Sequence, residues 1–419
     1  MKGSKTGFGI RSAAVWLTVV LATGGCAFKR LKGDLKEIEA VRPVAGKIVN
    51  PSSSRKPVVV VLWSLDPEYR SNYWIVEHEG TFSFAPTGGR YYLLAFEDSN
   101  EDLKYETNEW AGAYGAPSAI DVNSGEDFGH LELRLQPPGK LKLPADVRDS
   151  TAGERAQRFD WREELTGEIV TLDDPRFSEE NAKMGLWTPV RFLKKFGIDV
   201  YFLEPYDPNK IPVLFVHGAA GHPGNWKDVV ASLDRTKYQP WVAYYPSGLR
   251  LDSSGTVLAR FLEELRAKYG FERLVVVAHS MGGLVSRSMI LHYAKNDPRA
   301  AMPLFVSIST PWGGHPGANL GVEHAPAIIP QWYDMVPGSP FLERLFAEPL
   351  PPETTFRMLV SYKGKDGTDG AVPLNSELFL PAQEAAAKVY AIDASHVGIL
   401  SDTNALSLLN RFLSGVPEK

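Results

Sequence analysis

The chain has 419 residues, of which 44% are hydrophobic and 23% charged, a composition typical of a globular protein with room for two domains. Its formal net charge is −5, and it contains no basic block of the kind that tracks phosphates, so we expect no nucleic-acid partner. A single cysteine excludes an internal disulfide.

Residues 1–26 have the pattern of a secretory signal. An apolar run at 12–23 is too short for a transmembrane helix, and two glycines then precede Cys26. The basic residues before this run are Lys2, Lys5 and Arg11. Small residues before a cysteine resemble a bacterial lipobox, in which the thiol is acylated and becomes the new N-terminus, although Thr23 stands where leucine is usual. We predict lipidation at Cys26; the alternative is an ordinary signal peptide with an incidental cysteine.

The predicted modification determines the expected location. Removing the three basic residues of the signal leaves 42 of 45 basic residues against 50 acidic ones, a net charge of −8. We therefore expect acyl chains on Cys26, and not basic residues, to hold the protein to a membrane. Ala27 lacks the aspartate that often signals inner-membrane retention, and by resemblance this favours the outer membrane. The expectation is an exported lipoprotein of the outer membrane or periplasm of a bacterium, with no prediction of oligomeric state.

Residues 27–43 are interpreted as a short polar tether with some helical character, and a β-rich region follows at 44–136. Its apolar runs are AGKIVN, PVVVVLWSL, NYWIVEHEGTFSFAP, RYYLLAFED and FGHLELRLQ. Turn residues separate them without helical stretches, which predicts a small antiparallel all-β sandwich. The order GKIV…TFSFAPTGGRYYLLAFED resembles carboxypeptidase-regulatory-like β-sandwich modules. That resemblance implies a spacer or interaction domain that carries no chemistry.

A Pro-rich and then charged stretch at 137–164 is interpreted as a linker to a second domain at 165–419. In this domain apolar strands alternate with helical patterns, such as the helix predicted over 253–270. The predicted strands lie at 211–216, 241–246, 273–278, 304–309, 355–362 and 388–393. Near-continuous apolar strands separated by helices predict an α/β fold, with a mostly parallel sheet and helices on both faces.

The stretch RLVVVAHSMGG at 273–283 joins an apolar strand to a helical pattern, and Ser280 lies at the junction. Open α/β sheets bind their ligands at the carboxyl ends of the strands. The local pattern A-H-S-M-G departs from G-x-S-x-G only by alanine at the first small position, and such a turn exposes the hydroxyl at a helix N-terminus. Ser280 is therefore the candidate nucleophile. The alternative, a helix N-cap serine, needs no small residues on both sides.

A serine nucleophile needs a base, and the base needs an orienting acid, here expected in the chain order serine, acid, histidine. Carboxylates follow the strand at 355–362, in the sequence KGKDGTDGAVPLNS. His396 follows the strand at 388–393, in the sequence ASHVGIL. His396 is thus the candidate base, and Asp366 and Asp369 are both candidate acids.

This arrangement, over roughly 185–415, resembles the α/β-hydrolase superfamily and in particular its lipase-like serine esterases. In that family the acid typically occurs as D-G-x-V and the histidine as D/S-H-x-G. DGAV at 369–372 and SHVG at 395–398 match these patterns. The resemblance favours Asp369, since Asp366 lacks the aligned valine.

Acyl transfer also needs hydrogen-bond donors for an oxyanion. The sequence FVHGAAGHPGNW follows the buried strand that ends at residue 216. His-Gly at a strand end resembles the hydrolase loop that supplies one backbone N–H, here from Ala219, while Met281 supplies the second. His217 and Gly218 are expected to support this loop without His217 titrating in catalysis. The alternative is a plain Gly-rich turn between a strand and a helix.

A long insertion at about 313–352 separates two of the predicted strands. It is rich in apolar residues, and its stretch MVPGSPFLERL resembles the corresponding segment of lipase-like hydrolases. We interpret the insertion as a cap over the site, with a buried helix that makes no substrate contact as the alternative. His315 and His324 lack paired ligand spacing, so neither a metal nor any other cofactor is expected.

The sequence therefore predicts a serine ester hydrolase of the lipase or carboxylesterase type, acting on an acyl ester or lipid through an acyl-enzyme on Ser280. An acyltransferase, or an amide or thioester hydrolase, could use the same three residues. A surface binding lipoprotein without catalytic activity is the alternative from another class.

Overall fold

The computed structural model describes residues 25–40, 43–66, 72–76, 78–86, 88–100, 105–114, 119–142, 167–296, 301–364 and 367–416. The predicted signal up to residue 24 and most of the predicted linker lie outside these residues. Two compact units are present. The α/β unit contains the described residues up to Leu35 together with Ile169–Leu262 and those from Tyr269 onward, and the β-rich unit contains those within Lys36–Glu168 and Glu263–Lys268.

The β-rich unit contains two sheets that share one buried apolar cluster. Its strands are β1 (Val44–Val49), β2 (Val58–Ser64), β3 (Asn72–Val76), β4 (Thr81–Phe84), β5 (Arg90–Glu97), β6 (Ala111–Tyr114), β7 (Ile120–Asp121) and β8 (Phe128–Arg134). The strand orders are β4-β1-β8 and β3-β2-β5-β6, with β7 paired to β5. The predicted small β region is confirmed. The expectation of purely antiparallel pairing is wrong for β1 and β8, which run parallel. These two strands are far apart in the chain, so no hairpin forces them to be antiparallel.

The α/β unit is built on one seven-stranded sheet with the order β15-β14-β13-β12-β10-β11-β9. The strands are β9 (Asp199–Phe202), β10 (Ile211–Val216), β11 (Tyr238–Tyr244), β12 (Arg273–His279), β13 (Ala301–Ile308), β14 (Thr355–Tyr362) and β15 (Lys388–Asp393). All neighbours pair in parallel except β9, an edge strand antiparallel to β11. The predicted α/β fold with a mostly parallel sheet is confirmed, and the apolar strand sequences follow from burial of the central strands.

Helices alternate with these strands. They are α1 (Gly25–Ala40), α2 (Glu179–Trp187), α3 (Pro189–Phe196), α4 (Lys227–Ser232), α5 (Leu251–Tyr269), α6 (Gly282–Asn296), α7 (Pro316–His324), α8 (Pro330–Met335), α9 (Pro340–Ala347), α10 (Leu374–Glu377), α11 (Leu380–Ala385) and α12 (Thr403–Ser414). The apolar side chains of α4 and α12 pack in one buried cluster with those of β10, β11 and β13. Among the described helices, none combines the length and the apolar composition that a membrane span requires.

The predicted cap region forms the three short helices α7, α8 and α9 between β13 and β14. Buried Asp334 accepts hydrogen bonds from Arg250 Nε at 2.9 Å and from Leu251 N at 2.7 Å, and these bonds join α8 to the start of α5. At the end of α9, buried Arg287 donates to Leu345 O at 2.8 Å and to Glu348 O at 2.9 Å. Long-range hydrogen bonds therefore fix this segment to the rest of the α/β unit.

The predicted tether lies mostly within α1, whose residues up to Leu35 belong to the α/β unit. Phe28 and Leu31 are buried against Ala327 and Ile329, which lie between α7 and α8. Asp34 Oδ2 accepts a hydrogen bond of 2.8 Å from Val190 N, in the first turn of α3. The first part of this helix is thus packed into the α/β unit, which its polar composition did not indicate.

Candidate active site

Three side chains meet at the carboxyl edge of the parallel sheet. Ser280 directly follows β12, Asp369 lies in the loop after β14, and His396 lies in the loop after β15. Parallel strands end at the same edge, so residues more than 100 positions apart in the chain come together there. Ser280 N donates to Ile308 O, at the end of β13, at 2.8 Å, and this bond fixes the start of the turn.

The turn at Ser280 is strained and crowded. Ser280 has a φ of 56°, in the left-handed region that costs a non-glycine residue free energy and that occurs at functional sites. A Cβ added at Gly282 would lie 2.5 Å from both His217 O and Val216 O, and one added at Gly283 would lie 2.1 Å from Thr310 Oγ1. These small residues let the turn pack against β10 while its serine faces the site, as in a nucleophile elbow.

A hydrogen-bond chain joins Ser280, His396 and Asp369. His396 Nε2 lies 2.9 Å from Ser280 Oγ, and His396 Nδ1 lies 2.5 Å from Asp369 Oδ2. A carboxylate accepts only, so Nδ1–H donates to Asp369 and leaves Nε2 to accept from the serine hydroxyl. Ser280 is 9% exposed and the side chain of Asp369 is fully buried, whereas the His396 side chain keeps 14% of its surface. The imidazole is therefore held in the tautomer that can take the proton of Ser280.

Asp369 is kept ionised by the hydrogen bonds that its carboxylate accepts. Burial alone would raise the pKa of this carboxyl, but the hydrogen bond and charge of His396 and two backbone amides lower it to about 2. The amides are Ala371 N and Val372 N, which donate to Oδ1 at 2.9 and 2.7 Å. One carboxylate oxygen is thus fixed by the backbone, and the other faces the histidine. Asp366, the rival acid, lies outside the described residues.

Two further residues support the acid, and the sequence analysis did not find them. Ser361, at the end of β14, is fully buried and donates from Oγ to Asp369 Oδ2 at 2.7 Å. The same serine donates from its backbone N to Glu377 Oε2 at 2.9 Å. Burial, with the nearby Asp369 charge, raises the pKa of Glu377 to about 9, so this carboxyl is neutral at pH 7. The two contacts span 8 and 16 positions of the chain, and no local motif signals them.

His279 contacts the base loop, although the sequence analysis gave it no role. Its Nε2–H donates to the backbone oxygen of His396 at 2.8 Å, and the two rings have centroids 4.7 Å apart. Burial and the neighbouring His396 charge lower the pKa of His279 to about 3. A neutral imidazole next to Ser280 therefore holds the loop of His396.

The loop after β10 lies against Ser280. A Cβ added at Gly218 would lie 2.7 Å from Ser280 Cβ and 3.1 Å from Ser280 Oγ, so only glycine leaves space beside the serine. Ala219 is exposed and Met281 is buried. Within the part of the chain that the structure describes, neither the Ala219 nor the Met281 backbone N–H donates to a protein acceptor. Two amides beside Ser280 are thus available to a bound group.

His217 holds this loop in place. Its Nδ1–H donates to Gly218 O at 2.9 Å, and its ring stacks on Tyr245, whose hydroxyl donates to His217 O at 2.6 Å. Burial lowers the pKa of His217 to about 4, so this histidine remains neutral at physiological pH. These contacts fix the His217 side chain in the loop, and the supporting role of His217 and Gly218 stays a prediction.

Both ring nitrogens of His315 form hydrogen bonds with the backbone. Nε2–H donates to Ala371 O at 2.9 Å, and Nδ1 accepts from Gly317 N at 3.0 Å. This side chain therefore caps α7 and ties the start of the predicted cap to the loop of Asp369, which leaves no ring nitrogen for a metal. His324 lies beside Glu323 on the exposed end of the same helix.

Known proteins share this fold. A family model described as alpha/beta hydrolase fold matches residues 211–345. No curated protein matches the sequence at a significant level.

Several solved structures are similar to about half of the chain. The Bacillus licheniformis lipase BlEst2 in its mature form is 20% identical over 51% of this chain and 97% of its own, with a TM-score of 0.43. A Listeria innocua protein is 16% identical over 50% and 95%, with a TM-score of 0.41. Aspergillus fumigatus lipase B is 15% identical over 52% and 57%, with a TM-score of 0.41. The matched family model and the strand order together assign the α/β unit an α/β-hydrolase fold.

Proposed function

We propose that the protein is a serine ester hydrolase that forms an acyl-enzyme on Ser280. The observation that carries the proposal is the hydrogen-bond chain from Ser280 Oγ through His396 to Asp369, at 2.9 and 2.5 Å. A serine hydroxyl is a weak nucleophile until a correctly oriented base accepts its proton. The substrate class is an acyl ester or lipid, and no cofactor takes part in the proposed steps.

The proposed reaction has two halves. His396 Nε2 takes the proton of Ser280 while Oγ attacks the ester carbonyl carbon, and the amides of Ala219 and Met281 hold the resulting oxyanion. The tetrahedral intermediate collapses, and the leaving alcohol takes the proton from His396. Water then attacks the acyl-enzyme as His396 accepts one of its protons, and the carboxylic acid leaves as Ser280 regains its hydrogen. Asp369 fixes the tautomer and stabilises the imidazolium throughout.

Hydrolysis of p-nitrophenyl esters from acetate to palmitate tests this proposal. We expect Ser280→Ala to reduce kcat by at least roughly 10³-fold while leaving the thermal unfolding transition in place, because it removes only the nucleophile. The dependence on chain length distinguishes a carboxylesterase from a lipase. A folded protein that hydrolyses none of these esters, or a variant as active as the parent, would contradict the proposal and favour an acyltransferase or a binding protein.

We also propose that Cys26 is acylated after export and anchors the protein to a bacterial membrane. The support is the sequence pattern of a basic start, a short apolar run and small residues before the single cysteine. Metabolic labelling with palmitate in a bacterial host is expected to label the parent chain but not Cys26→Ser. Equal labelling of both chains, or labelling of neither, would exclude acylation at this position.

A further inference from the structure

Helix α1 has two chemically different sides. Phe28, Leu31 and Asp34 are buried, whereas Lys29, Arg30 and Lys32 are exposed. At 3.6 residues per turn the buried positions share one side of α1, Lys29 lies on the opposite side, and Arg30 and Lys32 lie at the two edges of the exposed side. The exposed side of the helix is therefore a basic face, which we define as Lys29, Arg30 and Lys32.

The buried face holds the helix rigidly to the α/β unit. The Phe28 ring makes an edge-on contact with Trp187, with centroids 5.6 Å apart, and Trp187 makes a similar contact with Trp332 of α8. Asp34 Oδ2 accepts from Val190 N at 2.8 Å and from Arg191 N at 3.3 Å, and so caps α3, whose own N-cap residue makes no side-chain hydrogen bond. A charge on α1 therefore has a fixed position relative to the α/β unit.

The three cations of the basic face have no ion-pair partner among the described residues. Among the described residues, no carboxylate forms an ion pair with Lys29, Arg30 or Lys32, although several other surface cations are paired. Lys29 and Lys32 are neighbours at i and i+3, where like charges repel each other and destabilise an isolated helix. Three cations within four positions of one packed helix therefore give its exposed side a positive charge that suits an anionic partner.

The position of Cys26 identifies this partner. Cys26 lies in the first turn of α1, and a rise of 1.5 Å per residue puts Lys29 about 4.5 Å and Lys32 about 9 Å further along the axis. Both distances are within the Debye length of about 8–10 Å at physiological salt. An acyl group on Cys26 would hold these cations close enough to a bilayer surface to attract anionic head groups.

We propose that the basic face of α1 binds the head groups of anionic phospholipids and, together with the packed apolar face, orients the α/β unit on the membrane. Because Ala327, Ile329 and Trp332 contact the buried face of α1, this orientation leaves only the width of that helix, about 10 Å, between the predicted cap region and the lipid head groups. The proposal goes beyond ester hydrolysis, and rests on the proposed export and acylation at Cys26 for the choice of partner. A single acyl chain gives only marginal membrane binding, which a basic patch can reinforce.

Vesicle co-sedimentation tests the proposal with the processed chain, residues 26–419, carrying Cys26→Ser so that no acyl chain contributes. The vesicles are phosphatidylcholine alone, or phosphatidylcholine mixed with phosphatidylglycerol. The test variant combines Lys29→Gln, Arg30→Gln and Lys32→Gln, in which glutamine keeps good helix propensity. The matched control combines Lys227→Gln, Lys388→Gln and Arg411→Gln, which removes the same charge from other exposed positions of the α/β unit.

We expect the parent and control chains to bind the mixed vesicles and to be released by salt, with little binding to phosphatidylcholine alone. The test variant should bind the mixed vesicles roughly 100-fold more weakly at low salt, as expected for three basic residues near a charged surface. Equal binding by test and control variants, binding insensitive to phosphatidylglycerol, or no binding by the parent would overturn the proposal.

Hydrolysis of soluble p-nitrophenyl acetate by the same samples separates this inference from the proposed function. Loss of vesicle binding with unchanged hydrolysis supports both proposals. Absence of hydrolysis in all samples, with the binding pattern intact, refutes only the enzymatic proposal. Hydrolysis in all samples, with no difference in vesicle binding, refutes only the basic face.

Discussion

At the scale of single residues, the acid of the site is the most informative position. Asp369 Oδ2 receives hydrogen bonds from both His396 and Ser361, while its Oδ1 is fixed by two backbone amides. This set of donors favours the ionised carboxylate, and the geometry selects one tautomer of His396. Orientation of the histidine therefore depends on the charge of Asp369 as well as on its shape.

Asp369→Asn should lower kcat by roughly 10⁴-fold, because an amide that donates to Nδ1 selects the wrong histidine tautomer. KM should change little, since the acid contacts no substrate. Steady-state kinetics on a p-nitrophenyl ester measures both values. Asp366→Asn is the matched control, and we expect it to retain most of the activity. A large loss in the Asp366 variant, with near-normal activity in the Asp369 variant, would reverse the assignment of the acid.

The raised pKa of Glu377 predicts that the free energy of unfolding depends on pH. Burial and the charge of Asp369 raise its pKa in the folded state from 4.5 to about 9. Between these two pH values the carboxyl of Glu377 is ionised in the unfolded chain but still protonated in the folded chain. Its contribution to the free energy of unfolding is therefore complete below about pH 4.5 and is lost as the pH rises toward 9. Glu377→Gln should remove this loss and raise the free energy of unfolding at pH 8 by a few kcal/mol relative to the parent.

Urea unfolding of the parent and Glu377→Gln chains at pH 6 and pH 8 measures this effect. The parent should lose more stability than the variant between the two pH values. The amide can still accept from Ser361 N, so ester hydrolysis by the variant should be largely retained. Equal pH dependence in both chains would show that Glu377 is already ionised in the folded protein.

At the scale of elements, the loop after β10 and the turn after β12 form one packed unit. Gly218 faces the nucleophile so closely that any side chain would displace Ser280, and the loop carries the Ala219 amide. Both elements start from neighbouring strands of the sheet, whose register fixes their separation. The alignment of the proposed oxyanion donors therefore depends on the absence of a Cβ at position 218.

Gly218→Ala should reduce kcat by roughly 10²–10³-fold, the cost of losing one oxyanion donor, because the new Cβ would push the loop away from Ser280. Far-ultraviolet circular dichroism should show the same secondary structure as the parent. Gly33→Ala, at a position in α1 where a Cβ meets open space, should leave kcat unchanged. Unchanged activity in the Gly218 variant would argue against this loop as the oxyanion site.

The sequence predicted those elements whose burial leaves a signal in their own residues. The predicted strands at 211–216, 355–362 and 388–393 coincide with β10, β14 and β15. β10 and β14 are mostly buried and show their apolar character locally, whereas the edge strand β15 buries only Ile392. Ser280, Asp369 and His396 could be singled out because each lies within seven residues after a predicted strand. The edge strand β9 is only four residues long and gave no comparable signal.

The contacts that were missed have no local sequence signal. Ser361 is only eight positions from Asp369, but no motif marks a serine at the end of β14 as its hydrogen-bond donor. His279 bonds a backbone oxygen 117 positions away, which no local pattern can show. The packing of α1 against residues 325–332 also had no signal, because only two or three apolar side chains of a polar segment take part. Composition predicts exposure of such a segment, while tertiary contacts determine which of its faces is buried.

At the scale of the whole molecule, we infer that folding of the α/β unit turns an ordinary serine into the proposed nucleophile. Ser280, Asp369 and His396 lie on three separate loops, and only the parallel order of β12, β14 and β15 brings them to one edge of the sheet. The same unit carries the basic face of α1, so the proposed chemistry and the proposed membrane contact belong to a single rigid framework.

The most direct measurement is labelling of the intact protein with a fluorophosphonate, followed by mass spectrometry of its peptides. We predict a single adduct on Ser280 in the native protein, none after unfolding in urea, and none in His396→Ala, because phosphonylation needs the activated hydroxyl. Failure of the native protein to react, an adduct on a different serine, or labelling of Ser280 that persists without His396 would contradict the account.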